Sequence, residues 1–321
     1  MRLLTFLAAS VVVCASGADS VDFIESRGGS VTRDKQSRIT GIRLDLTWVT
    51  DGDIEFLKKL PDLKSLDLSF TLISDEGMEH ISGLKGIETL NLQSAELLTD
   101  TAIGHLRGWK QLRSLNLRGT DITDTSMEYI SNLPALEALD ISYTQVTNNG
   151  MEFLAPLNRL EDLSIGGNKI NGVGLHILKS LPRLKRLDLS GAQQRNSGTW
   201  ATSLTESDLD TIASFTTLES LNLGGMRVSG TGLSKLRKLS ALRDLDLSKT
   251  QIGAEHLSVL RGMPALEQLK LWKVSGVNDA AVPNLIAARK LKLLDVAETG
   301  MTEAGVEAIR KALPACRVLW R

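Results

Sequence analysis

Apolar residues recur through most of the chain in a two-part rhythm. Segments such as Leu63-Lys-Ser-Leu66-Asp-Leu68 alternate apolar and polar positions, which predicts a half-buried strand. A polar turn follows, and then apolar residues spaced by three, as in Met127, Ile130 and Leu133, which predict one face of a short helix. The strand phrase returns as Leu112-Arg-Ser-Leu115-Asn-Leu117, Leu136-Glu-Ala-Leu139-Asp-Ile141, Leu184-Lys-Arg-Leu187-Asp-Leu189 and Leu242-Arg-Asp-Leu245-Asp-Leu247. Units begin at Ile39, Leu63, Ile87, Leu112, Leu136, Leu160, Leu184, Leu218, Leu242, Leu266 and Leu291. Eight are 24 residues long, two are 25, and the one that starts at Leu184 is 34. No unit can bury its own apolar faces, so neighbours must stack. The 321 residues therefore predict one solenoid rather than the two domains that length alone suggests.

The turn often reads Thr-x-Ile/Val-Thr-Asp, as in Thr120-Asp-Ile122-Thr123-Asp124. Ser74, Thr99, Thr123, Thr147 and Thr302 are placed as helix N-caps. Asp75, Asp100 and Asp124 are expected to complement the positive end of the helix dipole. Pro61, Pro134, Pro182, Pro264 and Pro314 follow the last apolar helical residue and stop the helix.

The ends differ from the array. Met1-Arg2, the apolar run Leu3 to Cys14 and the small residues Ser16-Gly17-Ala18 read as a secretory signal peptide over residues 1–18. The run is too short to span a bilayer, and Val13 before Cys14 is not the small residue that lipid attachment needs. Residues 19–38 are then a capping segment, 39–314 eleven repeats, and 315–321 a closing partial repeat. Cleavage would leave Cys316 as the one cysteine, with no internal disulfide available.

These units resemble leucine-rich repeats. Their turn is similar to that of the ribonuclease-inhibitor-like and F-box-associated subtypes, and to secreted bacterial arrays built on a T-x-I-T-D-x-G-L phrase. Such arrays begin near a Gly-Gly segment and end in Leu-Pro-x-Cys; here these are Gly28-Gly29-Ser-Val-Thr-Arg-Asp34 and Leu313-Pro-Ala-Cys316. The resemblance implies an α/β open horseshoe, with a parallel sheet on the concave face and helices on the convex face. It implies a scaffold that binds a protein or other macromolecule. With no cysteine-rich cap and no N-x-Ser/Thr sequon, the expected compartment is the bacterial periplasm or exterior. The F-box subtype also suggests a substrate-recognition subunit of a ubiquitin ligase, but the 38 residues before the first repeat leave no room for an F-box.

Composition narrows the function. Lys plus Arg is 37 against 38 Asp plus Glu, so no excess cation is available for nucleic acid, and a membrane span is not expected. No G-x-S-x-G, H-E-x-x-H or phosphate-binding glycine loop occurs, and a non-catalytic protein without metal or cofactor is expected. An envelope enzyme using a stripe carboxylate is the remaining alternative.

The residue between the last two strand leucines should point into the hollow. In order these are Arg43, Asp67, Asn91, Asn116, Asp140, Ser164, Asp188, Asn222, Asp246, Lys270 and Asp295. The candidate ligand-binding residues are Asp67, Asn91, Asn116, Asp140, Asp188, Asn222 and Asp246, with Trp200 and Trp272 on the rim. Asp140, Asp188 and Asp246 are expected to project into solvent and to contribute little to folding. The stripe reads more readily as a merely soluble face that resists edge pairing than as a recognition surface for a basic or hydrogen-bonding ligand. Ten extra residues centred on Gln193 to Ser203 carry Trp200, which either binds a partner or packs on a neighbouring unit. Trp48, Phe70 and Tyr143 lie along one rim, and Phe56, His80, His105, Tyr129, Phe153 and Ile177 form one helix column that either contacts a partner or packs between helices.

Overall fold

The strand leucines go inward: Leu66, Leu90, Leu115, Leu139, Leu221 and Leu245 are all buried. The computed structural model describes residues 17–195, 198–201, 205–228 and 230–321; the first sixteen residues of the proposed signal segment, and Asn196, Ser197 and 202–204 of the insertion, lie outside them. A helix, Gly17–Ser26, leads into β1 (Ser30–Arg33) and β2 (Ile39–Arg43). One strand then opens each following unit: β3 (Ser65–Asp67), β4 (Thr89–Asn91), β5 (Ser114–Asn116), β6 (Ala138–Asp140), β7 (Asp162–Ser164) and β8 (Arg186–Asp188). The insertion forms β9 (Ala192–Arg195) and β10 (Gly198–Ala201), and the series resumes with β11 (Ser220–Asn222), β12 (Asp244–Asp246), β13 (Gln268–Lys270), β14 (Leu293–Asp295) and β15 (Arg317–Leu319).

Thirteen strands make one open sheet in chain order, skipping β9 and β10. Only β1 runs antiparallel to its neighbour. β8 pairs β11 directly, with Leu187 opposite Leu221, so the insertion leaves the register intact. It forms a separate antiparallel hairpin with Trp200 opposite Gln193. Short α and 3₁₀ segments, such as Asp75–Ile81 and Ala254–Gly262, form the second layer. A single continuous apolar core lies between the layers. The result is the leucine-rich-repeat solenoid, an open sheet on one face and helices on the other.

The acids at the helix starts do more than complement a dipole. Each sits at the first helical position and reaches across to the N-cap residue of the next unit. Asp51 accepts from Ser74 N and Oγ, both at 2.7 Å. Asp75 accepts from Thr99 N at 2.8 Å and Oγ1 at 2.6 Å, and Asp124 likewise from Thr147 at 2.7 and 2.6 Å. Asp100 holds Thr123 in the same way and also receives Ser126 N and Oγ. Asn148 takes the place of the acid before Asn171, and Asp279 serves Thr302. The N-cap side chain meanwhile accepts from its own helix, as Thr99 does from Thr101 N.

This reach explains the glycine of the repeat phrase. The third helical residue of the receiving unit lies under the incoming carboxylate or, from Asn148, carboxamide. It is Gly77, Ala102, Ser126, Gly150, Gly174 and Gly305 in the six cases above. A Cβ at Gly77, Gly150 or Gly305 would overlap Asp51, Asp124 or Asp279. At three joins where no acid arrives, that third residue is large and caps its own helix; at a fourth, after Ala254, it is the small Ala281. Thr50 heads the first repeat, and its N and Oγ1 donate to Asp53 at 3.0 Å. Thr205 follows a unit whose first helical residue is Gly172, and its N and Oγ1 donate to Asp208 at 2.8 Å. Gly253 follows Gly230 and donates its N–H to His256 Nδ1 at 2.9 Å. Asp208 and His256 occupy the space that a side chain at Gly172 or Gly230 would need.

The rule predicts a rescue. Gly77→Asp alone should destabilise by about 1–3 kcal/mol through overlap and like charge. Asp51→Gly alone should cost a similar amount through the orphaned Ser74 N–H. The double variant should fall short of the sum by about 1 kcal/mol or more in a double-mutant cycle read by chemical denaturation; strict additivity would reject the rule.

The same carboxylates set a pH limit. Burial opposes the charge of Asp100, but hydrogen bonds from Ser126 and Thr123 outweigh it and hold its pKa below the ordinary value. Asp279 is lowered by the Thr302 hydroxyl and then by the Thr302 N–H. A lowered folded pKa means their stabilisation is complete above the unfolded value of about 3.9 and is lost as pH falls through the folded one. The melting temperature should therefore drop steeply below about pH 4, and less steeply in Asp100→Asn.

Candidate functional site

Alternation places two residues of each strand on the concave face, at its first and third positions. The third-position residues include the stripe Asp67, Asn91, Asn116, Asp140, Asp188, Asn222 and Asp246. They are not free solvent-facing groups. Each turns its side chain along its own chain and accepts the backbone N–H two residues on. Asp67 takes Ser69 N at 3.0 Å, Asn91 takes Gln93 N at 3.2 Å and Asn116 takes Arg118 N at 3.0 Å. Asp140 takes Ser142 N at 2.8 Å, Asp188 takes Ser190 N at 2.7 Å, Asn222 takes Gly224 N at 2.9 Å and Asp246 takes Ser248 N at 2.9 Å. This Asx geometry bends the chain out of the sheet. The expectation that Asp140, Asp188 and Asp246 project freely into solvent and contribute little to folding is thereby corrected: each satisfies a backbone donor that the bend leaves, and so is expected to contribute to folding, although Arg43 and Lys270 hold the same place with no acceptor to offer. Asp140 is also held above the ordinary carboxyl pKa by burial, which hydrogen bonds from Ser142 only partly offset.

The first-position residues carry no such duty. In the second half of the arc they are Asp162, Arg186, Ser220, Asp244 and Gln268. With the stripe they line an open hollow of about 300 Å³ over β7, β8, β11, β12 and β13. Arg186 Nε pairs with Asp162 at 2.7 Å, Asn222 Nδ2 donates to Asp188 at 2.9 Å, and Lys270 Nζ stands 3.5 Å from Asp246. Asp244 Oδ1 is buried without a hydrogen-bond partner among the described residues. Burial, and then the nearby Glu267, push its carboxyl up. Four carboxylates against Arg186 and Lys270 leave the hollow acidic.

The rim residues divide. The Trp272 ring has Lys249 and Lys273 ammonium groups at 4.6 and 4.5 Å from its centroid, and its Nε1 donates to Glu298 at 2.9 Å. Its faces are already covered, so it is not a bare anchor. Tyr143 has the Arg118 guanidinium 4.3 Å above its ring. A Cβ at Gly167 would overlap that ring, and one at Gly191 its hydroxyl, so the tyrosine lies along the rim to the root of the β9–β10 hairpin. Both glycines have positive φ, 73° and 119°. The Trp200 backbone lies in β10, while its side chain is outside the described residues. In the helix column, Phe56 meets Phe23 edge-on at 5.7 Å and Tyr129 lies against Gly104, so those residues pack between elements. Among the described residues no group of three or more His, Cys, Asp or Glu is placed to hold a metal, and no helix is long and apolar enough to cross a membrane.

The stripe makes a sharp expectation for substitutions. Asp246→Ala should lower stability by about 1–2 kcal/mol, because Ser248 N loses its acceptor in a half-buried bend. Asp246→Asn should stay within about 0.5 kcal/mol of the parent, since Asn222 does the same work one strand away. Thermal melts of the pair decide it; equal losses would mean that the charge, not the acceptor, matters.

A family model described as Leucine Rich repeat matches residues 59–82, 111–131 and 132–155. No curated protein matches the chain. Among solved structures, an internalin (inlF) from Listeria monocytogenes is similar, with 21% identity and a TM-score of 0.61 over 86% of this chain and 72% of that one. TLR13 in its complex with ssRNA13 is similar at 20% identity and a TM-score of 0.53, over 90% of this chain; the chain spans 40% of the length of that one. The chain thus carries leucine-rich repeats, and its fold is that of the leucine-rich-repeat proteins.

Proposed function

We propose that the protein is an exported, non-catalytic scaffold that holds a protein partner in the acidic hollow over β7 to β13. The single observation that carries this is Asp244 Oδ1, buried in the hollow that Asp246 and Asp188 also line, with no hydrogen-bond partner among the described residues. A buried acceptor left unmade costs about 1–3 kcal/mol. A donor from a lysine, arginine or backbone amide of a bound chain would satisfy it. The surrounding carboxylates favour a cationic donor, and Arg186, Gln268 and Lys270 give the rim of the hollow its hydrogen-bonding variety. Export rests on the Leu3 to Cys14 run and the small residues after it, with the periplasm or exterior as the compartment. The leucine-rich-repeat fold supports a binding role in general, because its strands leave an extended hollow surface.

The test uses the first-position residues, which the scaffold does not need. Arg186→Ala, Asp244→Ala and Gln268→Ala together should not lower the melting temperature, because relief of the unpartnered Asp244 acceptor offsets loss of the exposed Arg186–Asp162 pair. Covalent crosslinking of the mature chain in its native envelope should give a defined adduct with a second polypeptide, and the triple variant should lose it at least about tenfold. Equal crosslinking by parent and variant would remove the hollow as the binding site.

A further inference from the structure

We propose that the turn rim of the first three repeats is a second docking surface, one that takes a basic protein segment anchored by apolar side chains. Five of the large exposed apolar residues of the protein lie there: Leu46 at 73% exposure, Trp48 at 79%, Phe70 at 45%, Leu72 at 44% and Leu97 at 54%. They are neighbours. Arg43 stands opposite Asp67, Leu46 N bonds Ser69 O at 3.0 Å and Leu72 N bonds Val49 O at 3.1 Å, which sets Leu46 beside Phe70 and Trp48 beside Leu72. Leu97 bridges to Ser74 just beyond. Contiguous exposed apolar groups of this kind mark interaction sites.

Strain gives an independent reason. Leu46 and Phe70 have φ of 58° and 56°, in the left-handed region. That conformation is unfavourable for a residue with a bulky side chain, because its Cβ crowds the following carbonyl oxygen. At the same turn the other units place Ser94, Gly119, Gly167, Gly191, Gly225, Lys249, Lys273 and Glu298. Tyr143 is the one other bulky apolar exception, and its ring covers Gly167. Leu46 and Phe70 expose nearly half or more of their surface and gain no comparable burial. Their presence is therefore not explained by the fold.

Charge selects the occupant. The three loops, 43–53, 67–76 and 91–101, hold eight carboxylates and one arginine, Arg43. Arg27 reaches in to pair with Asp53 at 3.1 Å, so six carboxylates there have no lysine or arginine partner among the described residues, though Asp51, Asp67, Asp75 and Asp100 accept the neutral hydrogen bonds given above. An anionic bilayer is repelled by such a surface, and two copies meeting patch to patch would oppose twelve like charges. A segment with leucine-like anchors flanked by lysine or arginine satisfies both the apolar and the electrostatic parts. The surface lies on the opposite half of the arc from the β7 to β13 hollow and stands independently of it.

The experiment titrates the mature chain with an amphipathic Leu/Lys helical peptide and with its Leu/Glu counterpart. The Leu/Lys peptide should bind saturably and weaken as salt rises, and the Leu/Glu peptide should not bind. Leu46→Gly with Trp48→Ser should lower the Leu/Lys affinity at least about tenfold. That variant should melt no lower than the parent, because glycine relieves the left-handed turn. The Arg186, Asp244 and Gln268 triple variant should retain the rim-dependent binding, which separates this surface from the hollow. Unchanged affinity in the rim variant, equal binding of both peptides, or no saturation overturns the proposal. So does concentration-dependent self-association, or cosedimentation with phosphatidylglycerol vesicles, that the rim variant abolishes, since each would assign the rim to a different occupant.

Discussion

A carboxylate that reaches from the first turn of one helix to the N-cap of the next is what the rest of the solenoid depends on. Backbone pairing fixes the strands in register, but the apolar stack behind them is chemically uniform, leucine on leucine. The Asp51–Ser74, Asp75–Thr99, Asp100–Thr123 and Asp124–Thr147 contacts fix the helical layer to the same register. They also satisfy a backbone N–H that each turn would otherwise strand between repeats. Because the acceptor is charged, each contact is stronger than a neutral hydrogen bond. Because the carboxylate fills the space above the third helical residue, that residue must be small.

The concave face is organised by the same economy. One column is committed to the scaffold in most strands: Asp67, Asn116, Asp188 and Asp246 hold the bend that leads into the turn. The neighbouring column is uncommitted, and there the chain varies from Gly41 and Ala138 to Arg186, Asp244 and Leu293. Recognition can change in that column without touching the fold, which is why the two columns call for different chemistry although they share a surface.

Much of the fold was legible because strand and helix periods are local signals. The alternation at Leu63 to Leu68 and the threefold spacing at Met127 to Leu133 each lie within one repeat. The partner of Asp100 was not legible in this way: Thr123 and Ser126 are 23 and 26 residues away, and a dipole argument explains an acid at that place equally well. The Gly77 and Gly150 positions held the missing signal, a small residue one repeat after each acid. In the candidate site, the third-position stripe was found but its role was misjudged, since an Asx bend depends on where the chain turns. Asp162, Arg186, Asp244 and Gln268 were passed over although the same alternation exposes them. Trp272 was read as a rim contact for a ligand; Lys249, on the preceding strand's turn, and Glu298, which both engage it, are not near it in sequence.

The reach between repeats also decides where such an array can be cut and rejoined. An acid at the head of one helix belongs, in energetic terms, to the following unit, so the heritable module does not run from leucine to leucine. It runs from one acid to the small residue that receives it. Duplication or loss of whole units within the stretch from Asp51 to Asn148 joins matched halves every time. A crossover that set Asp124 before the Thr205 helix would drive its carboxylate against Asp208. The long unit at Leu184, preceded by Gly172, is thereby isolated from its neighbours as an interchangeable part, and the array can grow in its first half while the unit with the hairpin stays single.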